Sequence, residues 1–163
     1  MLKEKLQEEL KTALKSGDTN RRLTIGMVLA AVKNKELDKR NKLSKTGIDM
    51  AQLDTQSALT DDEAMEVIQS EVKKRREALE VYTQNTRADL AEKEKSELDI
   101  LMTFLPQQLS DDEVRAHVKA VILEVKPQGI KDMGKVIGQV MNRVRGQVDG
   151  QAVSRIVKEE LTA

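Results

Sequence analysis

The sequence predicts an all-α protein, with an N-terminal domain of four helices, two of them long, and a compact three-helix C-terminal domain. Three observations predict it. Apolar residues recur every three to four positions along most of the chain, the period of a helix with one buried face. Thr60-Asp61-Asp62-Glu63 and Ser110-Asp111-Asp112-Glu113 are capping boxes, in which a hydroxyl satisfies an exposed amide of the first turn and a glutamate reaches back. Of aromatic residues the 163-residue chain has only Tyr82 and Phe104, so the core is aliphatic, which suits helix seams better than a sandwich or barrel.

The first helix runs from about Leu2 to Lys15, where Leu2, Leu6, Leu10 and Leu14 form one stripe. Ser16-Gly17-Asp18 ends it, and Asp18 or Thr19 caps the next. The second runs from about Asn20 to Arg40. Leu23, Met27, Ala30, Ala31 and Leu37 share one side, and Ile25, Val28, Leu29 and Val32 widen it. So broad an apolar face predicts a central helix with neighbours on two sides. Residues 41–59 lose the periodicity and read as a long mobile connection. The third helix follows the Thr60 cap to about Thr83, roughly 35 Å, burying Ala64, Val67, Ile68, Val72, Leu79 and Tyr82. The fourth, from about Thr86 to Leu105, stops at Pro106.

Leu105-Pro106-Gln107-Gln108-Leu109 is the predicted hinge, dividing the chain into residues 1–105 and 106–163. Beyond it, Val114, Val118, Val121, Ile122 and Val125 mark the fifth helix. Met133, Val136, Ile137, Val140, Met141 and Val144 mark the sixth, with Asp132 as its candidate cap and Gly146 at its end. Val153, Ile156, Val157 and Leu161 mark the seventh, after Asp149.

Charge narrows the function classes. The chain has 28 basic and 28 acidic residues, unevenly spread. Residues 1–45 hold twelve Lys/Arg against six Asp/Glu, and residues 46–105 seven against fourteen. The basic stretch either faces a polyanion or packs on the acidic one. The absence of cysteine excludes disulfides, thiolate metal sites and a cysteine nucleophile. No run approaches the roughly 20 apolar residues of a membrane span, and the N-terminus lacks the apolar core of a secretory signal. The expectation is a cytoplasmic protein.

No complete catalytic constellation is visible. The lone histidine, His117, lies between Val114 and Val118 without a second histidine or cysteine to share a metal or a proton, so no metal and no cofactor are expected. Asp61-Asp62 and Asp111-Asp112 sit in first helical turns and read as caps, not acid–base dyads. Lys73-Lys74-Arg75-Arg76 either pairs with Glu71, Glu77 and Glu80 on adjacent turns or offers some of its cations to phosphates. Phosphate-cradle and nucleophile-elbow motifs are absent.

The C-terminal segment offers one candidate surface. Lys131, Lys135, Arg143, Arg145 and Arg155 are candidate RNA contacts. Gly134 and Gly138, one turn apart, allow close approach, either of a neighbouring helix or of a nucleic-acid backbone. With both aromatics outside this segment, base stacking is not its mode of recognition. It would read phosphates, 2′-hydroxyls and shape.

Several stretches resemble the GatB/YqeY family, in particular its stand-alone YqeY-like members: RRLTIGMVLAAVKNKELDKR, LTDDEAMEVIQSEVKKRREALEVY, LPQQLSDDEV and KDMGKVIGQVMNRVRGQVDGQAVSRIVKEEL. The likeness begins with the N-terminal Leu-rich helix and covers nearly the whole chain except the loop at 41–59. The last stretch is similar to the tail of the B subunit of the tRNA-dependent amidotransferase, through Gly138, Gln139-Val140-Met141, Arg145-Gly146 and Val153 to Leu161. Where that tail usually follows its basic-Gly turn with alanine and asparagine, this chain reads Gln147-Val148-Asp149-Gly150. The resemblance implies tRNA, or an amidotransferase or translation protein, as partner. It also implies kinship with carbon–nitrogen ligases that use glutamine as amido-N-donor, although the catalytic cradle of such enzymes has no counterpart here. A helical protein-interaction module without RNA binding is the alternative.

Overall fold

A computed structural model of the chain describes residues 1–162. Those residues contain no strand, and the all-α expectation holds. The chain forms two compact units, Met1–Phe104 and Leu105–Ala163.

The first unit holds five helices, α1 (Leu2–Ser16), α2 (Thr19–Ser44), α3 (Met50–Ser57), α4 (Asp61–Gln84) and α5 (Ala88–Met102). Gly17 closes α1 in the left-handed conformation at φ 73°, with its amide on the Ala13 carbonyl. Of the two candidate caps for α2 it is Asp18 that works, accepting from the Arg21 amide at 2.9 Å. The Thr60 box forms as expected, with the Glu63 carboxylate 2.8 Å from the Thr60 amide. Helix α5 ends at Met102, three residues before Leu105, and Thr103 begins the exit.

Two expectations need correction here. The N-terminal unit has five helices, not four, because residues 41–59 are not a continuous loop. Helix α2 continues to Ser44, and Asp49 caps α3 by accepting from the Ala51 amide. Leu53 and Ser57, one turn apart, are the buried residues of α3, and so sparse a pattern gives no readable period. The second correction concerns α2. It does pack on α1, α3, α4 and α5, through Thr24, Ile25, Val28, Val32 and Glu36. The stripe of Leu23, Met27 and Leu37 is instead exposed, with Leu23 55% and Leu37 45% accessible. Neighbours cover one side of the broad apolar face and leave the other open.

The second unit contains α6 (Asp111–Val125), a 3-10 turn (Ile130–Asp132), α7 (Met133–Arg143) and α8 (Gly150–Thr162). The three helices pack mutually around valines from each of them and Ile156. Val148, in the turn before α8, closes the cluster. Asp132 does not cap α7 with its side chain. Its carboxylate accepts from the Gln128 amide at 2.8 Å and so fixes the preceding turn. Asp149 does engage the first turn of α8, through the Gln151 amide at 2.8 Å. The segment after Pro106 is tied down within this unit. The Gln108 side-chain amide donates to the Gly146 carbonyl at 2.8 Å, and the Leu109 amide donates to the Gln147 carbonyl at 2.8 Å.

Candidate nucleic-acid interface on α7

Helix α7 has sharply different sides. Val136 and Val140 are fully buried, and Met133, Ile137 and Met141 flank them against the core. A 100° step per residue then puts Gly134, Gly138, Lys135 and Asn142 on the opposite side, and all four are exposed. The two glycines are not packed against a neighbouring helix. A Cβ added at either position would meet no atom within 4 Å. Within the C-terminal unit, therefore, no helix packs on this glycine pair. What remains is a smooth backbone strip with lysine beside it, accessible from outside.

The five candidate cations do not form one patch. Lys131, in the 3-10 turn, and Lys135 are exposed and make no ion pair among the described residues. Arg145, just past the helix, donates to the Asn142 side-chain carbonyl at 3.4 Å, on the glycine side. Arg143 is bound to Glu124 of α6, so its charge is already matched. Arg155 on α8 is bound to Asp111 at 2.5 Å and to Glu159 at 3.2 Å. The Asp111 bond, then the Glu159 bond, hold its guanidinium above the ordinary arginine value. Asp111 and Glu124 lie at opposite ends of α6, about 20 Å apart at 1.5 Å per residue. Arg155 therefore belongs to a different part of the surface from Arg143. Lys131, Lys135, Gly134 and Gly138 share the N-terminal half of the open side of α7. Arg145 lies at its far end, about 15 Å beyond Lys135 at 1.5 Å per residue, and Arg143 and Arg155 are paired with carboxylates.

Asn142 and Gln108 were not singled out from sequence. Asn142 completes the exposed side of α7, and Gln108 positions the Arg145-Gly146 turn from 38 residues away. A non-local bond of that kind leaves no local pattern to read.

The other candidates resolve in favour of structure. Arg75 is 9% exposed, bonded to Glu71 of its own helix and 3.4 Å from Glu97 of α5. Lys74 also reaches Glu71, at 2.6 Å, and Lys73 lies 3.8 Å from Glu77. The basic run is thus mostly paired within the protein. The N-terminal cations divide. Lys3, Arg21, Lys39 and Arg40 pair with Glu36, Glu9, Glu63 and Asp54, whereas Arg22, Lys35 and Lys42 have no ion pair among the described residues. No group of three or more His, Cys, Asp or Glu among those residues is placed to hold a metal.

The model of the family described as Yqey-like protein matches residues 3–50 and 42–161. The chain belongs to this YqeY-like family. Among curated proteins, altered inheritance of mitochondria protein 41, mitochondrial, from Pyrenophora tritici-repentis is 28% identical over 162 residues, 98% of this chain and 80% of that protein. The protein of the same name from Lachancea thermotolerans is 31% identical over 124 residues, 74% of this chain and 58% of that one. That from Eremothecium gossypii is 30% identical over 139 residues, 83% and 67% respectively. The YqeY-like chain thus spans between 58% and 80% of the length of these relatives. Their names place them in mitochondria. For the present chain, no helix among the described residues is long and apolar enough to cross a membrane.

Proposed function

We propose that this YqeY-like chain is an accessory protein without a complete active site, whose C-terminal unit binds structured RNA, tRNA foremost, beside an amidotransferase or another component of translation. The supporting observation is the open side of α7. Gly134 and Gly138 leave a backbone strip with no atom within 4 Å of either missing side chain, next to Lys131 and Lys135. A phosphodiester backbone can approach such a strip closely while the lysines neutralise its charge. We name tRNA as the RNA on the resemblance read in the sequence from Gly138 to Leu161. The lack of a nucleophile–base pair supports a non-catalytic role, and steady ammonia release from glutamine by the pure chain would count against it. A cytoplasmic location belongs to this reading, and the lack of cysteine is compatible with a reducing compartment.

A filter-binding titration of tRNA at several salt concentrations tests this. If Lys131 and Lys135 each contact a phosphate, replacing both by Ala lowers affinity and reduces the log–log salt slope by roughly 1.5–2. Arg155→Ala serves as the control, because its charge is taken up by Asp111 and Glu159, and it leaves both quantities unchanged. Equal behaviour of wild type and the Lys131→Ala/Lys135→Ala protein, at unchanged thermal stability, removes the RNA surface from α7.

A further inference from the structure

The exposed side of α2 is a second surface, in the other unit and of different chemistry. Leu23, Met27, Ala30 and Leu37 fall on one face at spacings of four, three and seven residues. Leu23, Met27 and Leu37 are exposed large apolar side chains. The stripe extends about 21 Å from Leu23 to Leu37 at 1.5 Å per residue. Cations flank it on both sides. Arg22 and Lys33 lie along one edge, Lys35 and Lys42 along the other, with Asp38 the acid among them. Arg22, Lys35 and Lys42 have no ion pair among the described residues. A recess of about 270 Å³ adjoins Leu37, and one of about 290 Å³ adjoins Met27.

We propose that this face seats an amphipathic helix of another protein, one whose apolar stripe is bordered by acidic residues. The leucines and methionine give the apolar contact that a helix laid on a helix requires, and the cations on both borders demand negative charge opposite them. Gly26 and Ala30 are small, and a Cβ added at Gly26 meets no atom within 4 Å, so the partner backbone can come close at the middle of the stripe. A second copy of this chain does not fit. A two-fold related α2 would set Arg22, Lys33, Lys35 and Lys42 against the same cations. A flat bilayer does not fit either, since it cannot fill the recesses beside Met27 and Leu37, and Asn34 interrupts the stripe. Nucleic acid would leave the apolar residues uncovered.

Fluorescence anisotropy with the full-length chain decides the matter. The probes are two labelled peptides of about 18 residues, long enough for the stripe, both with Leu at i, i+4, i+7 and i+11. One carries Glu on both borders and the other Lys. The acidic peptide should bind at least about tenfold more tightly than the basic one. Leu23→Ser with Leu37→Ser should weaken it by about tenfold or more, through lost apolar contact. Arg22→Glu with Lys35→Glu should reverse the preference. These two side chains are solvated and without ion pairs, and a reversal cannot arise from unfolding. Equal binding of the two peptides, no binding of either, or indifference to both double substitutions overturns the proposal. So does a leucine-dependent dimer in light scattering, or leucine-dependent binding to phosphatidylglycerol vesicles in place of the peptide. If tRNA affinity, and not peptide affinity, responds to the charge reversal, the face belongs to nucleic acid. Lys131→Ala with Lys135→Ala should leave peptide binding unchanged, which separates this surface from that on α7.

Discussion

At the scale of single residues, the most consequential side chain is Arg75. It stands between two buried carboxylates, Glu71 and Glu97, and its Nη2 also lies 3.7 Å from the Met27 sulfur. Its Nε is buried without a hydrogen bond, so the 3.4 Å approach to Glu97 is attraction between charges and lacks hydrogen-bond alignment. A buried ion cluster of this kind adds little net stability over a well-packed apolar one, because three charges have lost their water. Removing Arg75 is another matter, since Glu71 and Glu97 lose their buried partner and keep the exposed Lys74 at 2.6 Å and Lys93 at 4.0 Å. Arg75→Ala should therefore lower the stability of the N-terminal unit by about 3 kcal/mol or more. Adding Glu71→Gln and Glu97→Gln should restore part of that loss by removing those buried charges. Urea unfolding of the three proteins measures both effects. A loss under about 1 kcal/mol, the range of exposed pairs, would mean that water reaches the cluster. In sequence, Arg75 is one of four adjacent cations. Nothing there marks it as the buried one, because its partner Glu97 lies on the next helix.

At the scale of elements, the legible features were those carried by local chemistry. Thr60 and Glu63, and Ser110 and Glu113, identify two helix starts, because a capping box is contained within four residues. Helix α3 was not legible. Its buried residues, Leu53 and Ser57, include only one apolar side chain, and its start rests on Asp49 alone. The exposed stripe of α2 misled for the opposite reason: its apolar period is real, but periodicity cannot say whether a neighbour covers it. The glycine pair of α7 was legible as a spacing, while its openness was not, and the Arg143–Glu124 and Arg155–Asp111 pairs are long-range. That openness has a consequence for α7 itself. Gly138 is interior to the helix, where glycine costs about 0.5–1 kcal/mol relative to alanine, and no neighbouring atom obstructs a methyl group. Gly138→Ala should stabilise the C-terminal unit by about that amount. Gly138→Leu should weaken tRNA binding by blocking close approach while leaving the fold intact. Thermal melts and the filter assay measure the pair. A Gly138→Leu protein that binds tRNA like wild type would show that the glycines are not a contact strip.

At the scale of the whole molecule, the two units hold together by different chemistry, and acid should distinguish them. The core of residues 105–163 is a cluster of valines with Ile156. That of residues 1–104 includes the buried Glu36, Glu71, Arg75 and Glu97. Burial pushes the Glu36 carboxyl up, but the Lys3 hydrogen bond, the Leu59 amide and the charges of Lys3 and Lys33 outweigh it and leave the group below its ordinary value. The Lys39 hydrogen bond, followed by the Thr60 amide, lowers Glu63 as well. In the second unit, the Ser110 amide and hydroxyl lower Glu113, and Arg115 and then Arg155 lower Glu159. Glu113 and Glu159 are both exposed, so water already screens their interactions. A carboxylate lowered in the folded state contributes stability that is fully present above the unfolded glutamate value, near about 4.3. The contribution is lost as pH falls through the folded value. Protonating Glu36 breaks a partly buried pair and leaves Lys3 without its acceptor, whereas protonating Glu113 loosens one cap at the surface. Expressed separately and melted from pH 7 down to pH 3, residues 1–104 should lose thermal stability more steeply than residues 105–163, beginning near about pH 4.3. Glu36→Gln should flatten that profile while lowering the neutral-pH melting temperature, because the neutral amide keeps the shape but not the charge that Lys3 requires. If residues 105–163 prove the more acid-labile fragment, or if Glu36→Gln leaves the slope of residues 1–104 unchanged, the acid sensitivity lies at the surface caps and not in the charged core.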